Sequence, residues 1–72
     1  MFILNRKGNR CIKIKEVSFE VITENWFSLK INGETFETFN NTQKGQKVFQ
    51  EILNKINDNV KFYKVPHEYE VK

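Results

Sequence analysis

The chain has 72 residues and a formal net charge of +3, with 12 lysines and arginines against 9 acidic residues. This length corresponds to one domain, residues 1–72, and a domain of this size buries only about 60% of the surface that its unfolded chain exposes. The single cysteine, Cys11, excludes an intramolecular disulfide, and no apolar run is long enough to span a membrane. We therefore expect a small cytoplasmic protein without a membrane partner.

The basic residues are concentrated near the N-terminus. Residues 1–15 contain five of them and no acid, whereas residues 16–39 contain five glutamates and one lysine. Positive charge returns in the C-terminal half of the chain. A basic pole can attract a phosphate-bearing ligand, although such runs are also typical of ordinary solvated faces.

Two short strands are predicted at the start of the chain. The first covers residues 2–4, and Gly8 in the turn that follows supplies a backbone conformation unfavourable for other residues. The second strand covers residues 11–14. A bulge or corner is predicted at residues 15–16, because the apolar alternation then changes phase, to Val17, Phe19 and Val21.

The strongest local signal is a β-hairpin around Asn32-Gly33. Both residues of an Asn-Gly turn adopt positive φ, and the segments on either side alternate apolar and polar residues. A two-residue loop also sets the register of the two strands. The expected pairs are Leu29 with Phe36 and Phe27 with Thr38 on one face, and Trp26 with Phe39 on the other.

One amphipathic helix is predicted from Asn41 to about Asn57, with Asn41 as the N-cap and Thr42 as the competing cap. Its apolar residues recur at helical spacing, at Val48, Phe49, Ile52 and Ile56. Gly45 either weakens the first turn or allows the helix to approach the sheet closely. Residues 60–65 form a further strand or an extended arm, which Pro66 ends.

These elements predict an α+β fold, a small antiparallel sheet of four or five strands with one helix packed on one face. A single helix leaves the other face of such a sheet uncovered. Apolar patches on monomers are usually covered or functional, and a domain this small has limited stability of its own. We therefore expect a homo-oligomer, most simply a dimer.

The hairpin's last strand and the helix carry a resemblance to known proteins. Phe39 is followed by the capping Asn41 and by a helix containing Val48-Phe49-Gln50-Glu51-Ile52. This segment resembles a widespread group of short proteins from phages and mobile elements of low-GC bacteria, in which small strands lead to an aromatic residue, a capping Thr or Asn, and a helix ending in Val-Leu-x-Glu-Ile. The resemblance implies no catalytic residue. It implies a phage accessory role in the host cytoplasm, including neutralisation of host immunity.

No residue pattern indicates catalysis. His67 is the only histidine, and the chain lacks the cysteine pair or second imidazole that a zinc site needs. A nucleophilic pair of Cys11 and His67 would require a third group to orient the base. Gly-rich phosphate loops and dinucleotide fingerprints are also absent from the sequence. We therefore interpret the chain as a binding protein, not an enzyme, with no metal and no cofactor.

The expected ligand site combines the N-terminal cations with two aromatic residues, and consists of Arg6, Lys7, Arg10, Lys13, Trp26 and Phe39. Cations hold phosphates while aromatic rings stack on nucleobases. Two other interpretations of the Trp26–Phe39 pair stay open. The C-terminal arm covers it as a second small core, or the pair mediates self-association.

Two function classes follow from these observations. The first is a counter-defence protein that sequesters a small phosphorylated, nucleotide-like ligand in a site between protomers. The alternative is an inhibitor that binds and blocks a host defence protein or nucleoprotein complex, such as a CRISPR effector. A weak nucleic-acid-binding module ranks third, because the acidic centre of the sequence limits phosphate contacts.

Overall fold

The computed structural model describes residues 1–72 as six β-strands and one α-helix, followed by a short 3₁₀-helix. The elements are β1 (Phe2–Leu4), β2 (Cys11–Lys13), β3 (Val17–Thr23), β4 (Trp26–Ile31), β5 (Glu34–Phe39), α1 (Thr42–Asn57), β6 (Phe62–Lys64) and the 3₁₀-helix Glu68–Glu70. The strands form two three-stranded sheets, a central sheet ordered β3-β4-β5 and a terminal sheet ordered β2-β1-β6. The α+β class is confirmed. The expectation of four or five strands in one antiparallel sheet is wrong, because β1 pairs with β2 and, in parallel, with β6, so that these three strands form a sheet separate from β3.

The central sheet is built around the predicted hairpin. Asn32 and Gly33 have φ of 56° and 83°, which confirms the two-residue turn. The register beyond the turn differs from the prediction, because a β-bulge between Leu29 and Lys30 shifts it by one residue. The expected partners are therefore wrong, since Leu29 pairs with Glu37 and Phe27 pairs with Phe39.

The terminal sheet joins the two ends of the chain. β1 is antiparallel to β2 and parallel to β6, so that Phe2 pairs with Lys13 on one side and with Phe62 on the other. The Phe2 amide donates a hydrogen bond of 2.9 Å to the Lys61 carbonyl, and the Val65 amide donates one of 2.9 Å to the Leu4 carbonyl. Residues 60–65 thus contain a strand, one of the two forms predicted for them.

The predicted corner at residues 15–16 separates β2 from β3 and lets them enter different sheets. The side chain of Asn32 stabilises it from the hairpin turn. Its Oδ1 accepts hydrogen bonds from the backbone amides of Lys15 at 2.7 Å and Glu16 at 3.0 Å. Its Nδ2 donates to the Lys13 carbonyl at 2.9 Å. One asparagine therefore sets the turn and also connects the two sheets.

Helix α1 begins where the sequence predicted. Asn41 is the N-cap, and its side chain accepts a hydrogen bond of 3.0 Å from the Lys44 amide. Gly45 is buried, and a Cβ built there would lie only 2.3 Å from Phe27 Cδ1, so the glycine permits a close approach to the sheet. At 16 residues and with many polar side chains, the helix does not have the length or hydropathy to cross a bilayer.

The helix and the terminal sheet share one core with the inner face of the central sheet. The fully or nearly buried residues are Ile3, Phe27, Leu29, Ile31, Phe36, Phe39, Val48, Ile52, Tyr63 and Val65. The outer face of the central sheet is mainly polar. There the hydroxyls of Ser28 and Thr35 form a hydrogen bond of 3.0 Å, and Lys30 lies 3.8 Å from the Glu20 carboxylate.

The C-terminal segment continues from β6 along the start of helix α1. The Lys44 ammonium donates a hydrogen bond of 3.1 Å to the Glu68 carbonyl, and the Glu68 carboxylate accepts one from the Asn40 amide. Val65 lies in the core, and Val71 packs against it. Trp26 remains 46% exposed, so this segment does not form a second core over it.

Candidate functional site

The outer face of the terminal sheet presents two aromatic rings from neighbouring strands. Phe2 pairs with Phe62, and the side chains of paired residues emerge on the same face of a sheet. Each ring is about half exposed, 49% for Phe2 and 52% for Phe62. Ile3 and Tyr63, the next residue of each strand, are buried in the core. The alternation that builds the core therefore also exposes the two phenylalanines.

Two lysines flank the rings. Lys13 of β2 pairs with Phe2 on the side away from Phe62, and Lys64 follows Phe62 by two residues in β6. Both lysines are exposed. Phe2, Phe62, Lys13 and Lys64 thus lie on one face, which we term the aromatic–basic face. Such a face combines surfaces for stacking with charges for phosphate binding.

The pairing of β1 with β6 gathers positive charge from both ends of the chain. The segments 1–15 and 59–67, which contain the terminal sheet, hold seven of the 12 basic residues and none of the 9 acidic residues. The remainder of the chain carries all nine acidic residues and only five basic ones. The small net charge of +3 therefore conceals two basic segments and a net acidic remainder, and this distribution of charge favours anions near the terminal sheet.

A groove of about 450 Å³ opens beside Phe2. It lies between the start of β1, the end of helix α1 and the segment that leads into β6. Its lining is largely apolar, with Lys61 as the charged member, and consists of Met1, Phe2, Ile56, Asn59, Val60 and Lys61. The groove extends the aromatic–basic face at its Phe2 end and has room for a planar group.

The N-terminal turn, in which the sequence predicted a phosphate site, uses Arg6 for internal contacts. The Arg6 amide donates a hydrogen bond of 2.6 Å to the Glu37 carboxylate, and Nε donates one of 3.0 Å to the Pro66 carbonyl. The guanidinium lies 4.6 Å from the centroid of the Phe39 ring, with Nη2 buried and without a hydrogen-bond partner. Arg6 therefore connects the turn to β5 and to the C-terminal segment.

Arg10 is also engaged within the protein. Its guanidinium lies 5.2 Å from the centroid of the Phe36 ring and 3.5 Å from the Glu34 carboxylate. Lys7 and Lys13 are exposed and are not among the ion pairs of the structure. The four predicted cations thus divide into two arginines that contact β5 and two lysines that face solvent.

The expected pairing of Trp26 with Phe39 is wrong. Trp26 pairs with Thr23 of β3, whereas Phe39 pairs with Phe27. The bulge in the hairpin turns Phe39 to the inner face, where it is completely buried and its ring packs edge-to-face on Phe27 at 5.9 Å. Phe39 therefore has no exposed ring surface for a base, and Trp26 lies on the central sheet.

Three residues of the aromatic–basic face, Phe2, Phe62 and Lys64, were not among the predicted site residues. The alternation in Phe62-Tyr63-Lys64 indicates which side chains share a face once the segment is a strand. The missing information was the neighbour of that strand, because the partners in the β1–β6 ladder are 60 positions apart in the chain. A pattern over a few neighbouring residues does not reveal which distant segment a strand pairs with.

The ionisable groups form no compact catalytic or metal-binding constellation. No cluster of three or more His, Cys, Asp or Glu side chains is placed to hold a metal ion. Cys11 is exposed in β2, and the His67 ring stacks on Tyr69 at 5.2 Å. Burial and the neighbouring Glu51 carboxylate raise the pKa of Tyr63 well above its ordinary value of 10.0. The Tyr63 hydroxyl is buried without a hydrogen-bond partner.

No protein family, curated protein or solved structure matches this chain.

Proposed function

We propose that the protein is a non-enzymatic binding protein that holds a phosphorylated, nucleobase-containing ligand on its aromatic–basic face. The observation that carries the proposal is the exposure of Phe2 and Phe62 on a sheet whose charged residues are all basic. Half-exposed aromatic rings on adjacent strands are suited to stacking, and the flanking ammonium groups of Lys13 and Lys64 are suited to phosphate oxygens.

The resemblance to short phage proteins supports a biological role for such binding. A protein that captures a ligand without converting it removes that ligand from the host, and counter-defence by sequestration needs no catalytic residue. Within this proposal the protein acts in the host cytoplasm. A homo-oligomer would present more than one aromatic–basic face, and a ligand that engages two faces at once is bound with higher avidity.

The residues that we propose to bind the ligand differ in part from those predicted from the sequence. The predicted site of Arg6, Lys7, Arg10, Lys13, Trp26 and Phe39 retains its two lysines, because these are exposed and lie at or next to the terminal sheet. The two arginines serve internal contacts, and the two aromatic residues are replaced by Phe2 and Phe62. The ligand class is unchanged, since it requires only a stacking surface beside cations.

Isothermal titration calorimetry with a panel of nucleotides and short oligonucleotides tests this proposal. We expect binding by the parent protein and weaker binding by Phe62→Ala and Lys13→Ala. Trp26→Ala is the matched control, because it removes a ring of similar exposure from the other sheet. A parent protein that binds no nucleotide or oligonucleotide, or variants of the terminal sheet that bind as well as the parent, would contradict the proposed site.

The alternative function, inhibition of a host protein or nucleoprotein complex, is favoured by the edge strand β3. This strand has seven residues and pairs only with β4, so one of its sides is free to accept another strand. It exposes three large apolar side chains, and Trp26 lies beside its end. The exposed apolar residues of this edge are Phe19, Val21 and Ile22.

Exposed apolar side chains along a free edge are suited to β-augmentation, in which a partner adds a strand. Mass spectrometry of material that co-purifies with the protein separates the two functions. A bound nucleotide or oligonucleotide supports the ligand-binding function. A host polypeptide that is lost from an Ile22→Lys variant supports the inhibitor function instead.

A further inference from the structure

We propose that the aromatic–basic face binds a single strand of nucleic acid and not a free nucleotide. This inference rests on the ligand class proposed above and narrows it through the shape of the face. Sites for small ligands are concave and bury 70–90% of the ligand surface. The groove beside Phe2 does not include Phe62, so no concavity encloses both rings. An open surface with stacking groups side by side is typical of sites that bind a polymer.

The two rings are placed to receive two successive bases. Phe2 and Phe62 are paired residues of adjacent parallel strands, and such strands lie about 4.8 Å apart. Each ring exposes about half of its surface, so each can stack on a different base of the same strand. A duplex presents only the edges of its bases in the grooves, whereas a single strand can present the base faces that stacking needs.

The cations surround the rings and do not converge on one point. Lys13 lies on the β2 side of Phe2, and Lys64 lies beyond Phe62 along β6. The Lys64 ammonium is 4.0 Å from the Cβ position of Gly8, which places the turn that carries Lys7 at the same end of the face. Separate cations on different sides of the rings are suited to successive phosphates of a strand, whereas the clustered phosphates of a nucleotide triphosphate require convergent cations.

The groove next to Phe2 supplies a position for a further base. Met1, Ile56 and Val60 make its lining largely apolar, and Lys61 is its charged lining residue. Its volume of about 450 Å³ leaves room for one planar base. A strand stacked on Phe62 and Phe2 would reach this groove by turning at Phe2 toward the start of β1, where Met1 and the segment before β6 line it. The platform therefore accommodates about three nucleotides, slightly below the roughly 4–16 nucleotides that one OB fold contacts.

Fluorescence anisotropy with labelled oligonucleotides tests the inference on the intact chain. The probes are an eight-nucleotide oligothymidylate, the corresponding oligouridylate, a duplex of equal length, and thymidine monophosphate as an unlabelled competitor. We expect the oligonucleotides to bind and the monophosphate to compete poorly. We also expect log K to fall with log salt concentration with a slope of about −0.7 for each phosphate contacted.

Substitutions locate the binding to the face. Phe62→Leu and Phe2→Leu keep apolar bulk but remove the ring, and we expect each to lower the affinity for the oligonucleotide by about fivefold or more. Phe62→Trp keeps the stacking surface and should bind like the parent. Lys64→Ala should lower the salt slope by about 0.7. The matched controls are Trp26→Leu and Lys30→Ala, which remove a ring and a charge from the central sheet.

The outcomes separate this inference from the proposed function. If thymidine monophosphate binds as tightly as the oligonucleotide, the inference is overturned while the nucleotide-binding function stands. A duplex that binds as well as the single strand, or unchanged affinity in Phe2→Leu and Phe62→Leu with intact circular dichroism, also overturns it. Absence of binding by every probe contradicts both the inference and the proposed function.

Discussion

Gly45 of helix α1 lies directly against the ring of Phe27 in the central sheet. A Cβ placed at Gly45 would be 2.3 Å from Phe27 Cδ1 and 2.4 Å from Cγ, distances that real side chains do not adopt. Phe27 is completely buried, so its ring has little freedom to move away. The glycine therefore determines how closely the helix packs on the sheet. Its unfavourable helix propensity is compensated by this packing.

Gly45→Ala is expected to destabilise the protein. Alanine improves helix propensity by about 1 kcal/mol, but overpacking a well-packed core costs about 1–3 kcal/mol or more, and the contact here is with the middle of a rigid ring. We expect a net loss in the free energy of unfolding, measured by urea denaturation. Gln46→Ala, at an exposed neighbouring position of the helix, is the control that should change stability little. Phe27→Leu makes room at the contact, so Gly45→Ala should lower the free energy of unfolding less in the Phe27→Leu background than in the parent. If Gly45→Ala lowers it in the parent by the same amount or less, the contact with Phe27 does not limit how closely the helix packs.

Substitutions on the apolar face of the helix should destabilise the protein to different extents, according to how deeply each side chain is buried. Ile52 is completely buried, and its replacement by alanine should cost about 2–5 kcal/mol. Phe49 is only partly buried and packs edge-to-face on Phe19 at 4.7 Å, so Phe49→Ala should cost less than the full value for a buried aromatic. Thermal melts of both variants check the order. A larger destabilisation from Phe49→Ala would indicate that the edge formed by β3 is more deeply packed than the structure shows.

Removal of the N-cap should weaken the start of helix α1. Asn41→Ala deletes the side-chain oxygen that accepts a hydrogen bond from the Lys44 amide at 3.0 Å, and loss of such a cap costs about 1 kcal/mol. Asn40→Ala is the matched control, because the Asn40 side chain makes no hydrogen bond in the structure. Asn41→Asp should retain the cap. Equal stability of Asn40→Ala and Asn41→Ala in chemical denaturation would contradict this assignment.

The raised pKa of Tyr63 predicts a loss of stability in alkali. The folded state favours the neutral phenol because of burial and the Glu51 carboxylate, so the stabilisation is complete below the unfolded pKa of 10.0 and is lost as the pH rises above it. We expect the free energy of unfolding to fall as the pH rises above about 10, and to fall less steeply in Tyr63→Phe. Tyr69→Phe, at an exposed position, should behave like the parent. A Tyr63→Phe variant with the same pH dependence as the parent would assign the alkaline transition to other groups.

We expect the protein to form a homo-oligomer, and we propose the edge strand β3 as the place where copies would pair. The central sheet leaves this strand free, with Val21 and Ile22 exposed along it. Multi-angle light scattering at micromolar concentration measures the mass. Ile22→Lys introduces a charge at the edge and should shift the protein toward the monomer, whereas Thr38→Lys, on the polar outer face of β5, should not. If the parent protein has the mass of a monomer, the expected homo-oligomer is contradicted, and self-association is no part of the proposed function.

Several local features could be predicted from residues close together in the chain. The Asn32-Gly33 turn, the Asn41 cap, the corner at residues 15–16 and the close approach at Gly45 each follow from backbone preferences and periodicity over a few positions. The register of the hairpin could not be predicted in the same way. A single bulged residue turns Phe39 from the outer face to the core, because side chains alternate with a period of two.

Patterns over short stretches of residues were enough to predict the α+β class, the helix and its cap, the turn residues and the basic character of residues 1–15. Long-range packing placed β6 parallel to β1, joined two sheets around one core, and brought Phe2 and Phe62 together on a face without acidic residues. It also decided that Arg6 and Arg10 contact aromatic rings and carboxylates of the protein itself. The physical reason is that pairing between strands 60 positions apart depends on how the whole core packs, whereas turns, caps and helical periodicity depend on neighbouring residues.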